Sequence, residues 1–127
     1  MTFLLDTSVL IDTLRLRNGR KELLAQLARD GHRMTTTAIN IAEVYSGIRA
    51  GEERRTILFL DSLECYGIDA ATGEQAGRLK SFWATKGRTI ALPDMIVAAI
   101  AIERGCVLLT DNRKDFPMSE IKLHPLP

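Results

Sequence analysis

The chain has 127 residues, of which 46% are hydrophobic and 26% charged, and its formal net charge at pH 7 is +1. This length and composition are typical of a globular protein, so we expect residues 1–127 to form a single domain, and we exclude a largely disordered chain. The near-neutral charge excludes nucleic-acid binding through bulk charge alone; such a partner would need a local basic patch.

Neither a secretion signal nor a membrane-spanning segment is predicted. The N-terminus MTFLLD lacks a basic start and reaches Asp6 too early for a signal peptide. The longest apolar run, Met95–Ile102, is stopped by Glu103 and falls well short of the roughly 18 residues that a transmembrane helix needs. We therefore expect a cytoplasmic protein without a membrane partner.

Strand and helix patterns alternate along the first half of the chain. Thr2–Leu5 is a short apolar run typical of a buried strand, and the helix-starting residues Asp6, Thr7 and Ser8 follow it directly. The pattern then predicts a helix with Val9, Leu10 and Leu14 on its inner face, a helix Lys21–Asp30, a strand Arg33–Thr36, a helix Ala38–Ala50 capped by Thr37, and a helix Glu52–Leu63.

The same alternation continues to the C-terminus. The predicted elements are a strand Cys65–Ile68, a helix Thr72–Lys86, a helix from Pro93 to about Arg104, a strand Cys106–Leu109 and a short strand Ile121–His124. Strands that alternate with helices indicate an α/β fold in which a central parallel sheet of about four to five strands has helices on both faces. In such folds ligands bind beyond the carboxyl ends of the strands.

Acidic residues from four separate segments are expected at that edge of the sheet. Asp6 follows the first strand and Asp111 follows the strand Cys106–Leu109, whereas Asp94 lies at the start of a helix and Glu43 lies within one. Each has an ordinary structural alternative: a helix cap for Asp6, a first-turn acid for Asp94, a turn for Asp111 and a solvated helix residue for Glu43. None of these alternatives explains why all four acids should lie at one edge.

Clustered carboxylates repel one another, and a divalent cation removes that repulsion. Oxygen ligands suit Mg²⁺ or Mn²⁺, and the chain has no His or Cys set suited to zinc, since His32 and His124 are far apart in sequence. Metal held by carboxylates suits phosphodiester hydrolysis. Four polar neighbours could orient the carboxylates or water, with capping or turn formation as the alternative: Thr7, Ser8, Asn40 and Thr110.

Four segments occur in a distinctive order: LLDTSVLID, TTTAINIAEVYSGI, LPDMIVAAIA and VLLTDNRKDF. Together they resemble the PIN-domain ribonucleases, in particular the VapC-like toxins of bacterial toxin–antitoxin pairs, over nearly the whole chain. The resemblance implies a PIN-like three-layer α/β/α fold and Mg²⁺- or Mn²⁺-dependent endoribonuclease activity. It also implies metal ligands at Asp6 and Asp94 and an acidic active-site residue at Glu43.

The fourth acidic position is left open by the sequence. The family often has Asp or Asn two residues after the Thr of the last motif, which here is Asn112, a residue that can coordinate only through a neutral carbonyl. Asp111 and Asp115 are the alternatives. This departure concerns a second metal site more than the activity itself.

The resemblance further implies a homodimer and a cognate antitoxin that lies along the toxin near the active site. Leu10, Leu14, Tyr45 and Ile48 are candidates for an exposed apolar face, with core packing as the alternative. RNA contacts are expected from three basic groups, for which solvated surface is the alternative: Arg15, Arg17, Arg20 and Lys21; Arg49, Arg54 and Arg55; Arg113 and Lys114. Phe116 is the only aromatic ring expected near the acids.

Two other functions fit parts of the pattern. A receiver-like phosphoryl-transfer domain also places acids at strand ends, but it needs an acidic pair after the first strand, where this chain has Asp-Thr-Ser. A catalytically weak PIN-fold module that binds RNA or protein is the second alternative, and the neutral Asn112 is the residue that favours it.

Overall fold

Five strands, six α-helices and a short 3₁₀ turn make up the computed structural model, which describes residues 1–127. None of its helices combines the length and apolar character that a membrane span requires. The elements in chain order are β1 Thr2–Leu5, α1 Thr7–Leu14, α2 Arg20–Arg29, β2 Arg33–Thr37, α3 Ala38–Ser46, α4 Glu53–Asp61, β3 Glu64–Tyr66, α5 Ala70–Thr85, α6 Leu92–Arg104, β4 Val107–Leu109, the 3₁₀ turn Arg113–Asp115 and β5 Lys122–Leu123.

The five strands form one parallel sheet in the order β3-β2-β1-β4-β5. Alternate residues of the central strand β1 face opposite layers: Phe3 and Leu5 pack with α1–α4, whereas Leu4 packs with α5 and α6. Strand β4 behaves in the same way, because Val107 and Leu109 share the first layer and Leu108 the second. The predicted three-layer α/β/α fold with a central parallel sheet is confirmed.

Helix α3 ends at Ser46, whereas the sequence pattern predicted that it would continue to Ala50. Two polar contacts favour this early end. The Ser46 hydroxyl donates to the carbonyl oxygen of Glu43 (2.7 Å), and the Arg15 guanidinium donates to the carbonyl oxygen of Gly47 (3.2 Å). Both contacts engage carbonyl groups of the last turn with side chains, which are alternatives to further helical hydrogen bonds.

Other boundaries differ by a few residues. Helix α5 begins at Ala70 and not at Thr72, because Asp69 is its N-cap and accepts hydrogen bonds from the amide and hydroxyl of Thr72, both at 2.9 Å. The 3₁₀ turn Arg113–Asp115 was not predicted. It matters for the site because it carries Asp115.

The polar segments follow the C-terminal ends of the central strands and therefore lie at one edge of the sheet. Strand β1 leads into Asp6, β2 leads through Thr37 into α3, and β4 leads into Thr110. Two buried hydroxyls fix β2 against β1, since Thr35 donates to the carbonyl oxygen of Phe3 (2.8 Å) and Thr36 to that of Leu5 (2.9 Å). The relative position of Asp6 and the start of α3 is therefore set by the sheet itself.

Candidate active site

Asp6 is a buried carboxylate that is held from two sides. Only 3% of the residue is exposed, and each carboxylate oxygen accepts one hydrogen bond: Oδ1 from the Asn40 amide (3.0 Å) and Oδ2 from the Thr110 hydroxyl (2.6 Å). Asp6 is the N-cap residue of α1, yet its side chain makes no capping hydrogen bond. Burial raises its pKa, although the bonds from Thr110 and Asn40 act in the opposite direction. A capping role therefore does not account for Asp6.

Asn40 links Asp6 to Glu43. Its side chain is fully buried, and the Thr37 hydroxyl donates to its carbonyl oxygen (2.6 Å), which directs the amide nitrogen towards Asp6 and towards Thr7 Oγ1 (3.0 Å). The Thr7 hydroxyl in turn donates to Glu43 Oε1 (2.6 Å). Thr7, Asn40 and Thr110 thus each donate a hydrogen bond to an acid, and the contact of Thr37 with Asn40 was missed because the capping function of Thr37 is the more obvious one.

Asp94 lies in the first turn of α6, close to three other carboxylates. Burial, which is the largest cause, and the charges of Asp6, Asp115 and Glu43 together raise its pKa to about 6. A carboxylate in the first turn of a helix is ordinarily stabilised by the helix dipole, so the other effects must exceed that stabilisation. We call these four residues, Asp6, Glu43, Asp94 and Asp115, the acid cluster.

No cation of the protein neutralises the acid cluster. The ion pairs of the structure involve other acids: Glu52 with Arg15, Asp12 and Asp111 with Arg20, Glu64 with Arg33, and Glu74 with Arg78. Uncompensated and partly buried carboxylates are costly, and their oxygen atoms are the ligands that Mg²⁺ and Mn²⁺ prefer. The donor set therefore fits a divalent cation.

The carboxylates of the acid cluster nevertheless do not form a complete metal-binding site by themselves. No group of three or more His, Cys, Asp or Glu side chains lies close enough to hold a metal ion jointly. This spacing is compatible with Mg²⁺, because Mg²⁺ keeps several water ligands and usually takes only one or two carboxylates directly. It does not suit zinc, which needs a closed set of protein ligands in structural sites and three in catalytic ones.

The sequence left three residues as alternatives for the fourth acidic position, and in the structure each of them has different partners. Asp115 couples to Asp94, whereas Asp111 accepts a hydrogen bond from the Arg20 guanidinium at 2.7 Å. Asn112 is exposed, and its backbone amide donates to Thr110 Oγ1 (3.0 Å). Asp111, which the sequence offered as one of the alternatives, is thus engaged by an arginine, whereas none of the ion pairs involves Asp115.

Three of the residues predicted to lie near RNA are not available for contact with it. Arg20 is only 3% exposed and Arg15 is paired with Glu52 at 3.1 Å, so neither guanidinium is free on the surface. Phe116 is 3% exposed and cannot stack on a base. Exposed basic residues do remain beside the acid cluster, because Arg113 and Lys114 lie in the 3₁₀ turn that carries Asp115.

Comparison with known proteins adds independent information. A family model described as "PIN domain" matches residues 3–120. Ribonuclease VapC19 of Mycobacterium tuberculosis (strain ATCC 25618 / H37Rv) is 29% identical over 115 residues, which cover 91% of this chain and 92% of that protein. The tRNA(fMet)-specific endonuclease VapC of Shigella flexneri is 23% identical over 121 residues, covering 91% and 90%.

Among solved structures, VapBC2 from Rickettsia felis, bound to a DNA fragment from its promoter, superimposes with a TM-score of 0.83 at 24% identity and covers 98% of both chains. VapBC-1 from nontypeable Haemophilus influenzae gives a TM-score of 0.80 at 20% identity, covering 98% of this chain and 97% of that one. At these identities the superpositions establish the fold.

Proposed function

This chain belongs to the PIN-domain family, and we propose that it is a divalent-metal-dependent endoribonuclease that acts as the toxin of a VapBC-type toxin–antitoxin pair. The observation that carries the proposal is the acid cluster at the carboxyl edge of the sheet, which no protein cation neutralises. The relatives named ribonuclease or endonuclease, which match over nine-tenths of the chain, support RNA as the substrate.

In the proposed reaction the acid cluster holds Mg²⁺ or Mn²⁺, with Asp6 and Asp94 as the principal ligands. The bound ion supplies neutralisation of the scissile phosphate and activation of a water molecule. The protein's own contribution is orientation, because Asn40 and Thr110 fix both oxygens of Asp6. Glu43 accepts from Thr7 through Oε1 alone, so its second oxygen has no protein donor and can take the proton of the attacking water.

We assign the fourth acidic position to Asp115 in preference to Asp111. The carboxylate charge of Asp115 raises the pKa of Asp94, whereas Asp111 is not among the charges that act on Asp94. Asp111 would have to leave Arg20 in order to act in the acid cluster. The exposed side chains of Arg113 and Lys114 beside Asp115 would contact the RNA backbone.

We infer an antitoxin partner because structural neighbours are VapBC toxin–antitoxin proteins, and the structure offers such a partner a surface. An apolar cavity of about 550 Å³ lies between α1, α2 and α4, with Leu14, Leu24 and Phe59 among its lining residues and Lys21 and Arg55 as its cations. We expect an amphipathic antitoxin segment with acidic residues to fill it.

Of the four candidates from the sequence, Leu14 lines this cavity and Leu10 is a core residue. A homodimer remains the expectation from the family resemblance.

The test is the cleavage rate of a labelled RNA by folded single variants. We expect Asp6→Asn, Asp94→Asn and Asp115→Asn each to lower the rate by at least about 100-fold, because losing a ligand costs more than losing an outer hydrogen bond. Asp61→Asn, at an exposed position in α4, is the matched control and should cleave at the wild-type rate. Full activity in folded Asp6→Asn or Asp94→Asn would remove the basis of the proposal.

A further inference from the structure

Arg20, the first residue of α2, is a buried cation outside the acid cluster. Its side chain is 4% exposed, and its guanidinium donates to Asp111 Oδ1 (2.7 Å) and to the backbone oxygens of Pro127 (2.9 Å) and Asn18 (3.2 Å). The remaining nitrogen, Nε, lies 3.7 Å from Asp12 Oδ2 and has no hydrogen-bond partner. One buried guanidinium therefore connects the start of α2 to two segments that are distant in sequence, at Asp111 and at Pro127.

Asp111, the partner of Arg20, lies in the middle of the turn that follows β4. Immediately before it, the Thr110 hydroxyl donates to Asp6 Oδ2 (2.6 Å). Immediately after it, the carbonyl oxygen of Asn112 accepts a hydrogen bond from the backbone amide of Asp115 (2.9 Å), which places Asp115 in the same turn. Arg20 thus holds the turn at Asp111, the residue next to the one that donates to Asp6.

We propose that Arg20 is a positioning residue that acts through Asp111 to fix the turn Thr110–Asp115, so that Thr110 keeps its hydrogen bond to Asp6 and Asp115 is held in the turn beside the acid cluster. This role replaces the RNA contact that the sequence suggested, since a guanidinium that is 4% exposed and already bonded to three oxygens is not available to a phosphate. The proposal concerns the geometry of the turn; its consequence for metal binding rests on the proposed function.

The first experiment needs neither metal nor RNA. Amide hydrogen exchange is compared between the wild type, Arg20→Gln and Asp111→Asn, with Arg29→Gln as the matched control, because Arg29 is an exposed arginine of the same helix that contacts only Gln26. We expect exchange in residues 110–116 to be at least about tenfold faster in Arg20→Gln and Asp111→Asn and unchanged in Arg29→Gln. Wild-type exchange in both test variants would overturn the proposal.

The second experiment separates positioning from RNA contact and from a purely structural role. Mn²⁺ binding is titrated by electron paramagnetic resonance, and kcat and KM for RNA are measured at fixed Mn²⁺. We expect Arg20→Gln and Asp111→Asn to bind Mn²⁺ about tenfold more weakly and to lose kcat, with KM for RNA within twofold of the wild type. A raised KM with wild-type Mn²⁺ affinity would instead identify Arg20 as an RNA contact and overturn the proposal.

Two further outcomes are informative. If Arg20→Gln fails to fold, Asp111→Asn decides alone, because Asp111 is 41% exposed in its side chain and its isosteric replacement leaves the core intact. If the wild type neither binds Mn²⁺ nor cleaves RNA, the proposed function fails, while faster exchange in residues 110–116 would still support the positioning role. The combined Arg20→Gln/Asp111→Asn variant should be no worse than either single variant, since both changes break the same link.

Discussion

Asp94 is the residue in which the conflict between folding and function is most direct. Burial and three neighbouring carboxylates raise its pKa from 3.8 to about 6 without metal. A carboxyl whose pKa is higher in the folded state than in the unfolded state stabilises the protein below about pH 4, and this contribution is lost as the pH rises to about 6. At neutral pH the metal-free protein therefore carries an ionised group that opposes folding.

We accordingly expect Asp94→Asn to stabilise the metal-free protein at pH 7 while abolishing cleavage. The gain should be on the order of 1–2 kcal/mol in the free energy of unfolding, after discounting the shift for partial solvent exposure. The difference from wild type should shrink towards zero at pH 4, where Asp94 is largely protonated. Urea unfolding in EDTA at pH 7 and pH 4 measures the difference in the free energy of unfolding between Asp94→Asn and the wild type. An equal difference at both pH values would contradict the raised pKa of Asp94.

At the residue scale the sequence identified most of the candidate site but not its internal contacts. Asp6, Glu43 and Asp94 could be predicted because each follows a strand or lies in a helix at the carboxyl edge of the sheet. Choosing between Asp111 and Asp115 was impossible from sequence, because the choice depends on which side chain faces Arg20 across the fold. The burial of Arg20 could not be predicted either, because it depends on contacts with Asp111 and Pro127, which are 91 and 107 positions away in the chain.

At the scale of elements, the link between α3 and α4 is stabilised by one acidic residue. Glu52 accepts from the Arg15 guanidinium (3.1 Å) and from the Arg49 amide (2.8 Å), and the bond from Arg15 is the main reason why its pKa is lowered to about 2. An acid with a lowered pKa contributes stability above its unfolded value, near 4.5, and loses that contribution as the pH falls towards 2.

We therefore expect Glu52→Gln to lower Tm at pH 7, and the Tm difference from wild type to shrink as the pH is lowered towards 3. Glu53→Gln, at the neighbouring exposed position, should change Tm little at either pH. Calorimetry across this pH range is the measurement. A Tm difference for Glu52→Gln that does not depend on pH would show that packing, and not the ion pair, stabilises the link.

Element types and order could be predicted because apolar runs, caps and glycines are local signals. Thr2–Leu5 matches β1 residue for residue, and the left-handed Gly105 ends α6 as expected. Helix ends were less predictable: α3 ends at Ser46, where the next residue, Gly47, accepts a hydrogen bond from Arg15, 32 positions earlier in the chain, which no local window contains. The 3₁₀ turn Arg113–Asp115 is too short to produce a periodic pattern.

For the whole molecule, metal binding and folding stability should be coupled. A cation that binds the folded acid cluster, but not the unfolded chain, stabilises by about 2.7 kcal/mol when its concentration is 100 times Kd. For a chain of this size that corresponds to a rise in Tm of several degrees. Thermal unfolding with EDTA, Mg²⁺ and Mn²⁺ tests this, and an unchanged Tm under all three conditions would contradict it. The rise should be much smaller in Asp6→Asn.

Cleavage of RNA by the acid cluster, with the help of a divalent cation, is the activity that we propose for this protein. It is tested most directly by incubating total RNA with purified, partner-free protein in the presence of Mg²⁺, in the presence of EDTA, and with Asp94→Asn in Mg²⁺. We expect discrete cleavage products only for the wild type with Mg²⁺. Cleavage that persists in EDTA or in folded Asp94→Asn, or no cleavage by metal-loaded wild type that is demonstrably free of antitoxin, would contradict it.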